Sequence, residues 1–272
     1  MTAVFTGFVL ARRVQDQTRA LLAGRGRAPV CVTLLDPGNA PAAAYLARQQ
    51  ALAAAVRVTI RAIGWGADPL AQLAALAADP GIDAVMPLFP LPAGLTPRAA
   101  ALAIGPDKDV DGQHPLNAGA LLLGHDTARA PATAQAAFLC AQDILGDLTG
   151  AEVALVGASN LVGRPLAMLL TGAGATVTLC HVATRDLAAH TRRADLIVTA
   201  AGVPGLIGRD HVAPGGRVLD VAVIRTPAGL VGDADRAALT GHAALISAVP
   251  DGVGPVTTAC LIRSIAQAAL AG

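Results

Sequence analysis

Twice along this chain, short apolar segments rich in β-branched residues alternate with Ala- and Leu-rich segments of helical length. That alternation constrains the fold most, because strands joined by helical crossovers pair in parallel and carry the helices on their faces. In the first run, residues 11–24 read as a helix, and APVCVTLL (28–35) reads as a buried strand ending in the turn signal DPGN. Ala42 to Ile63 contains neither Gly nor Pro and reads as a long helix, although RVTIRAI (57–63) is β-branched enough to pair as a strand. LAQLAALAAD (70–79) follows as a helix, DAVMPLF (83–89) as a strand and LTPRAAALAI (95–104) as a short helix. After a connecting helix at 132–145 comes the second run, with strands at EVALVG (152–157), ATVTLC (175–180), DLIVTAAG (195–202), GGRVLDVAVI (215–224) and HAALISAVP (242–250). A helix from near Asn160 to about Thr171 and another at 186–194 separate the first of these, and residues 257–272 form a closing amphipathic helix. The fold class is α/β.

Composition narrows the function. A length of 272 residues suits one large or two small domains, and 54% hydrophobic residues supply a sizeable core. No window reaches the roughly 18 uninterrupted apolar residues of a membrane span. In MTAVFTGFVLARR the apolar run precedes the arginines, the reverse of a secretory signal, so a soluble cytoplasmic protein is expected. A net charge of +1 without a basic run excludes a nucleic-acid footprint. Cys31, Cys140, Cys180 and Cys260 form no CxxC pair and read as buried reduced thiols.

In VALVGASNLVGRPLAMLL (153–170), Gly157, Ser159, Gly163 and Pro165 stand at a strand-to-helix turn. Glycine permits the tight turn and a close backbone approach, and the N–H groups at a helix start can hold a pyrophosphate. The spacing G-x-S-x-x-x-G-x-P departs from G-x-G-x-x-G, but it opens the first of several βα units, which favours a dinucleotide site. An acid at the end of the next strand would bind the ribose of NAD. Residues Cys180 to Arg185 contain none, and Arg185 could either meet an NADP phosphate or cap the turn.

PDKDVDGQHPLN (106–117) gathers Asp107, Lys108, Asp109 and Asp111 in a charge-poor chain, and Lys108 is its only lysine. D-x-D-x-D followed by Gly lacks the closing Glu of a calcium loop, so no metal site is expected. His114 could line a polar cleft or face solvent.

Together, this segment, the glycine turn, DGVGPVTTACL (251–261), CHVATRDLAAHTRRADLIVTAAGVPGLI (180–207), PGGRVLDVAV (214–223) and the tyrosine of AAAYLARQQA (42–51) resemble the methylenetetrahydrofolate dehydrogenase/cyclohydrolase family. The resemblance runs in order from about residue 30 to the end. It implies a folate-binding domain at 1–130 plus 257–272, a Rossmann-type NAD(P)-binding domain at 131–256, and a homodimer. It implies that Tyr45 packs on the pterin, that Asp111 hydrogen-bonds the pterin ring, and that Gly252, Val253 and Pro255 line the folate cleft. On the cofactor side it implies Gly157, Ala158, Ser159, Val162, Gly163, Pro165, His181, Val182, Ala201, Gly202 and Val223.

The departures concern chemistry. Four residues after the tyrosine the family carries a catalytic lysine, and this chain has Gln49. The glutamine that partners that lysine is replaced by Leu88 in MPLFPLP (86–92). Ala158 and Val182 replace an arginine and a serine that commonly contact the NADP phosphate, and Asp251 stands where a glycine is usual. The connecting helix opens Pro131-Ala132-Thr133-Ala134 in place of Pro-Cys-Thr-Pro. Hydride transfer depends chiefly on orientation, whereas opening the methenyl ring requires proton transfers that a neutral Gln49 cannot perform and a permanently charged Arg48 performs poorly. The expectation is an oxidoreductase that turns 5,10-methylenetetrahydrofolate into 5,10-methenyltetrahydrofolate with NAD or NADP, with NAD favoured and cyclohydrolase activity weak or absent. A repurposed one-carbon enzyme and a non-catalytic relative are the alternatives.

Overall fold

The computed structural model describes every residue except Pro37, Asn39, Ala228 and Gly272, and gives backbone alone for Ala40–Ala42, Ala44 and Tyr45. In chain order the elements are β1 (Ala3–Phe5), α1 (Phe8–Leu21), β2 (Val30–Leu35), α2 (Ala40–Ala55), β3 (Thr59–Gly64), α3 (Pro69–Ala78), β4 (Ala84–Pro87), α4 (Pro97–Ile104), α5 (Pro115–Leu122) and α6 (Ala132–Leu145). They continue with β5 (Glu152–Val156), α7 (Gly163–Gly172), β6 (Thr176–Cys180), α8 (Leu187–Thr191), β7 (Leu196–Thr199), β8 (Arg217–Asp220), β9 (Ile224–Thr226), β10 (Gly229–Val231), α9 (Arg236–Leu239), β11 (Leu245–Ser247) and α10 (Gly254–Ala271).

The chain divides into two compact units. One comprises Arg12–Ala132 and Thr258–Gly272. Its sheet is parallel, in the order β3-β2-β4. All six residues of β2 are buried, as a central strand covered on both faces requires. Val32 and Leu34 face a core shared with Leu73 and Ile82, Val85, and Ala100 and Ile104 of α4. On α2, Leu46, Gln49 and Ala53 fall on one buried stripe that Val56 continues, while Ala47 and Arg48 are exposed. The segment from Ala42 to Ile63 is not one helix. It turns over at Arg57, where φ is +62°, and the β-branched residues beyond it join the sheet as β3.

The other unit comprises Met1–Ala11 and Thr133–Thr257. Six parallel strands run in the order β1-β11-β8-β7-β5-β6 around a core that includes Val156, Ile197, Ile207, Val218, Leu239 and Ile246. The first eleven residues were expected in the folate-binding domain. Instead β1 completes the larger sheet, with Ala3 opposite Leu245 and Phe5 opposite Ser247, because its backbone pairs with the edge of β11. The strand expected at 215–224 ends at Asp220, and Ile224 begins the small antiparallel hairpin of β9 and β10. Strand order reverses between β5 and β7. In open parallel sheets, that is where a crevice forms beyond the carboxyl ends of the strands.

Candidate active site

Gly157 follows β5 with φ +114°, and a Cβ built on it would stand 2.4 Å from Ala200 O at the end of β7. Gly163 is tighter still, with its Cβ position 1.8 Å from Gly157 O. The two glycines let the start of α7 rest directly on the turn at the crevice. Ser159 Oγ accepts the Val162 N–H at 3.1 Å, Val162 gives α7 no side-chain cap, and the buried Pro165 needs no N–H partner in the first turn. Ala158 is half-buried beside them.

The remaining residues expected to hold a cofactor follow the carboxyl ends of the neighbouring strands. After β6 the His181 N–H donates to Thr184 Oγ1 at 2.8 Å and the His181 ring nitrogen accepts from Ala183, which turns Val182 fully into solvent. After β7, Ala201 and Gly202 are exposed, and after β8 so is Val223. The cradle that a Cβ would fill, together with this row of small exposed residues, fits an extended dinucleotide. Arg185 is exposed, and Arg164 donates to Asn160 Oδ1 at 3.1 Å.

Behind this row lies a polar network that the sequence did not point to. Asp233 has no solvent exposure, and its carboxylate accepts from Thr199 Oγ1 (2.7 Å), Ala201 N (2.6 Å) and Val203 N (2.7 Å). Asp220, at the end of β8, accepts from Ala222 N and Asp233 N (both 3.1 Å) and from Ala234 N (2.8 Å). Burial pushes its carboxyl up to about 6 against those N–H groups, with Asp233 adding to the rise. The one available signal was an acid closing an otherwise apolar buried strand. A cavity of ≈ 510 Å³ adjoins Asp220 and Ser247 under the β9–β10 hairpin.

In the unit of Arg12–Ala132 and Thr258–Gly272, the charged segment separates into distinct roles. Val85 N donates to Lys108 O at 3.0 Å, so the segment runs beside β4. Lys108 Nζ reaches Asp79 O at 2.6 Å and Leu76 O at 3.4 Å, placing the lone ammonium on the C-terminus of α3. Asp109 is buried and accepts from His114 N (2.7 Å) and Asn117 Nδ2 (2.9 Å), which fixes the loop into α5. His114 caps α5 through its ring nitrogen rather than facing solvent. Gly112, at φ +61°, has its Cβ position 2.4 Å from Arg129 O, so the turn admits no side chain.

Asp111 keeps more acceptor capacity. Its Oδ1 takes the Ala132 N–H at 3.1 Å, and burial pushes the carboxyl up to about 6, opposed by that N–H and aided by Asp109. With Met86, Phe89, Leu91 and Gln113 it bounds a cavity of ≈ 40 Å³. Leu88 is half-buried, its N–H bonded to Leu34 O at 2.8 Å, and it is not among the residues lining that cavity. Gln49 is 1% exposed, and its Oε1 meets no hydrogen-bond partner among the described residues. Tyr45 lies on α2, and its side chain is outside the described residues.

The Gly252–Pro255 segment leads into the first turn of α10 and lies in the unit of Met1–Ala11 and Thr133–Thr257. Gly252 is packed against Ala248 O, with 2.6 Å available to a Cβ, and in turn denies Gly7 a side chain. Val253 is 4% exposed, so its side chain packs the interior and leaves Pro255, half-buried, as the more accessible member. The four cysteines are buried and form no disulfide, with Cys31 pushed up to about 12 and Cys260 to about 11 by burial. Among the described residues no three metal-ligating side chains converge, and no helix is long and apolar enough to cross a membrane.

Residues 131–271 match the tetrahydrofolate dehydrogenase/cyclohydrolase NAD(P)-binding domain. The bifunctional protein FolD of Rhodospirillum rubrum is 38% identical over 274 residues, covering 95% of this chain and 93% of its own length. The crystal structure of bifunctional FolD from Campylobacter jejuni superposes with a TM-score of 0.91 at 31% identity, covering 100% of this chain and 99% of that one. A 5,10-methylenetetrahydrofolate dehydrogenase from the silkworm Bombyx mori superposes with a TM-score of 0.90 at 32% identity, with coverage of 100% and 99%. Similarity of this extent spans both units and every segment just described, and the chain belongs to the tetrahydrofolate dehydrogenase/cyclohydrolase family.

Proposed function

We propose that this protein oxidises 5,10-methylenetetrahydrofolate to 5,10-methenyltetrahydrofolate with NAD or NADP, and that its cyclohydrolase activity is weak or absent. The first half rests on the two cradles: Asp111 with spare acceptor capacity in one unit, and the Gly157–Gly163 turn in the other. The observation that carries the second half is Gln49. It is buried at the position where the family bears its lysine, while the neighbouring Arg48 is exposed on another side of α2. Relatives are named as bifunctional; the family resemblance assigns the second step to a lysine where this chain has Gln49.

NAD(P), when bound, supplies the hydride acceptor. The chain's own part is orientation: Asp111 accepts N–H groups of the pterin, and Tyr45 supports its ring. Gln49 can accept a hydrogen bond but cannot move a proton, so water addition to the methenyl carbon lacks an acid–base group. NAD is favoured because Ala158 and Val182 offer a phosphate neither charge nor hydroxyl. The protein is further proposed to act as a homodimer.

The test is purified protein with methylenetetrahydrofolate and either NAD or NADP, following nicotinamide reduction and methenyl product separately. Methenyl product that persists at its spontaneous hydrolysis rate supports the reading, and rapid enzymic hydrolysis removes its second half. No reduction with either cofactor sinks the first half and favours a repurposed or non-catalytic protein. Gln49→Lys combined with Leu88→Gln should introduce ring-opening activity.

A further inference from the structure

We propose that Asp233, backed by Asp220 and Thr199, is a positioning residue that fixes the height of the Ala201–Val203 turn for dinucleotide binding. The inference rests on the dinucleotide reading of this unit. The turn presents a contradiction that needs a cause. Ala201, Gly202 and Val203 are all exposed and offer little side chain to pack, yet the N–H groups of Ala201 and Val203 both end on one carboxylate that solvent does not reach. An exposed turn of small residues ordinarily gives its N–H groups to water. Here the backbone is held from below, and its upper surface is left bare.

The anchor is itself anchored. Asp233 N donates to Asp220 Oδ1, Ala234 N to Asp220 Oδ2, and Asp220 N to Ser247 Oγ at 2.7 Å. Ile207 N donates to Asp233 O at 2.9 Å, so the anchor's own backbone is tied to the segment after the turn. Gly232 must lack a side chain, because a Cβ there would fall 2.0 Å from Asp220 Oδ2. The segment after β10 is thus locked to the end of β8 before it reaches up to the end of β7. On its other side the turn begins at Ala200, whose carbonyl fills the space of the missing Gly157 side chain. A shift in the Ala201–Val203 turn therefore passes directly to the glycine turn. Three fixed acceptor contacts to a buried carboxylate leave little freedom for such a shift.

The test is direct titration with NADH and NADPH of wild-type protein, Asp233→Asn, Thr199→Val and Thr199→Ser, alongside thermal unfolding and tetrahydrofolate binding. Replacing one carboxylate oxygen by an NH2 turns an acceptor into a donor facing N–H groups, so Asp233→Asn should weaken dinucleotide binding about tenfold or more. Thr199→Val should weaken it several-fold, Thr199→Ser should match wild type, and folate affinity should hold in all. If Asp233→Asn fails to fold, the Val and Ser pair decides alone, since equal affinities at position 199 overturn the proposal. Folded Asp233→Asn that binds like wild type, losing only melting temperature, overturns it too. Wild-type protein that binds neither dinucleotide removes the underlying reading together with the inference.

Discussion

Gly163→Ala is a severe test of the glycine cradle, because the same change nine residues later in the same helix should have the opposite sign. A Cβ at 163 would lie 1.8 Å from Gly157 O and 2.8 Å from Gly157 C, where ordinary contact starts at 3.4 Å. Both opposing atoms are backbone, so no rotamer change relieves the clash, and α7 or the turn must withdraw by more than an ångström. Gly157 has little slack of its own, being pressed against Ala200 on its far side. Overpacking of this kind costs about 1–3 kcal/mol, and the better helix propensity of Ala returns at most about 1 kcal/mol. At roughly 2–4 °C per kcal/mol for a chain of this order of size, the melting temperature should fall by several degrees.

Binding should suffer more than stability. Displacing the turn by an ångström moves the N–H groups proposed to hold the phosphates, and losing even one hydrogen bond to a charged group weakens binding by about tenfold or more. Gly172→Ala has nothing within 4 Å of its Cβ position and should leave binding intact while raising stability by about 0.5 kcal/mol. Thermal unfolding and NADH or NADPH titration of the two variants side by side provide the assay. If Gly163→Ala is as stable as Gly172→Ala and binds dinucleotide with wild-type affinity, the close-packing account of the turn is wrong.

Asp111 predicts a pH effect with a definite sign. Its folded value of about 6 exceeds the ordinary 3.8, so the native state prefers the protonated acid, and that stabilisation is full below 3.8 and lost as pH rises through 6. The loss is on the order of 3 kcal/mol. Asp111→Asn keeps an oxygen for the Ala132 N–H, so it should flatten the decline between pH 4 and 7 while weakening folate binding; an unchanged denaturant profile across that range would count against it. Lys108→Met should cost about 0.5–1 kcal/mol in unfolding experiments by uncapping α3 and leave turnover unaltered; lost turnover would contradict the structural role. Gln49→Met should stabilise the ligand-free protein by about 1 kcal/mol or more by removing an unpaired buried oxygen, and a lower stability would show that Oε1 has a partner.

How much of this could be read beforehand depended on range. The inner strands of the second run, β5 and β7, are mostly apolar because strands inside a parallel sheet are covered on both faces, and that pattern is local. The first strand is three residues long and pairs with residues 245–247, so nothing near it in sequence announces its place. Helix α5 was hidden because PLNAGALL carries a Gly and its cap is a histidine ring, an uncommon acceptor. Between Val56 and Ile63 helix and strand propensities were balanced, and pairing of β3 with β2 settled the matter. Asp111 was singled out through the family resemblance, as the acid expected to hydrogen-bond the pterin. Why its neighbours are charged was not legible, because the contacts of Lys108 and Asp109 lie with α3 and α5. Asp220 and Asp233 escaped notice for a similar reason: their carboxylates serve backbone N–H groups up to 32 residues away.

Counting the donors at each buried acceptor sorts the polar groups without reference to any motif. Asp109, Asp220 and Asp233 are buried, and each carboxylate takes at least two donors, so their acceptor capacity is largely used by the fold. Asp111 takes a single backbone N–H, and Gln49 Oε1 takes none among the described residues. Thr33 Oγ1 is also without a partner among the described residues, so the criterion selects a short set rather than one residue. Leaving a buried acceptor unpaired costs about 1–3 kcal/mol, which a site recovers only when a donor arrives. The pterin of a folate brings such donors. A lysine at position 49 would carry a charge into a position with 1% exposure, and its desolvation would need a polar partner; the family resemblance puts Leu88 where that partner would stand. On the proposed reading the two residues go together: with an apolar residue at 88, a neutral residue at 49 strands no charge, and Gln49 can hydrogen-bond but cannot transfer a proton.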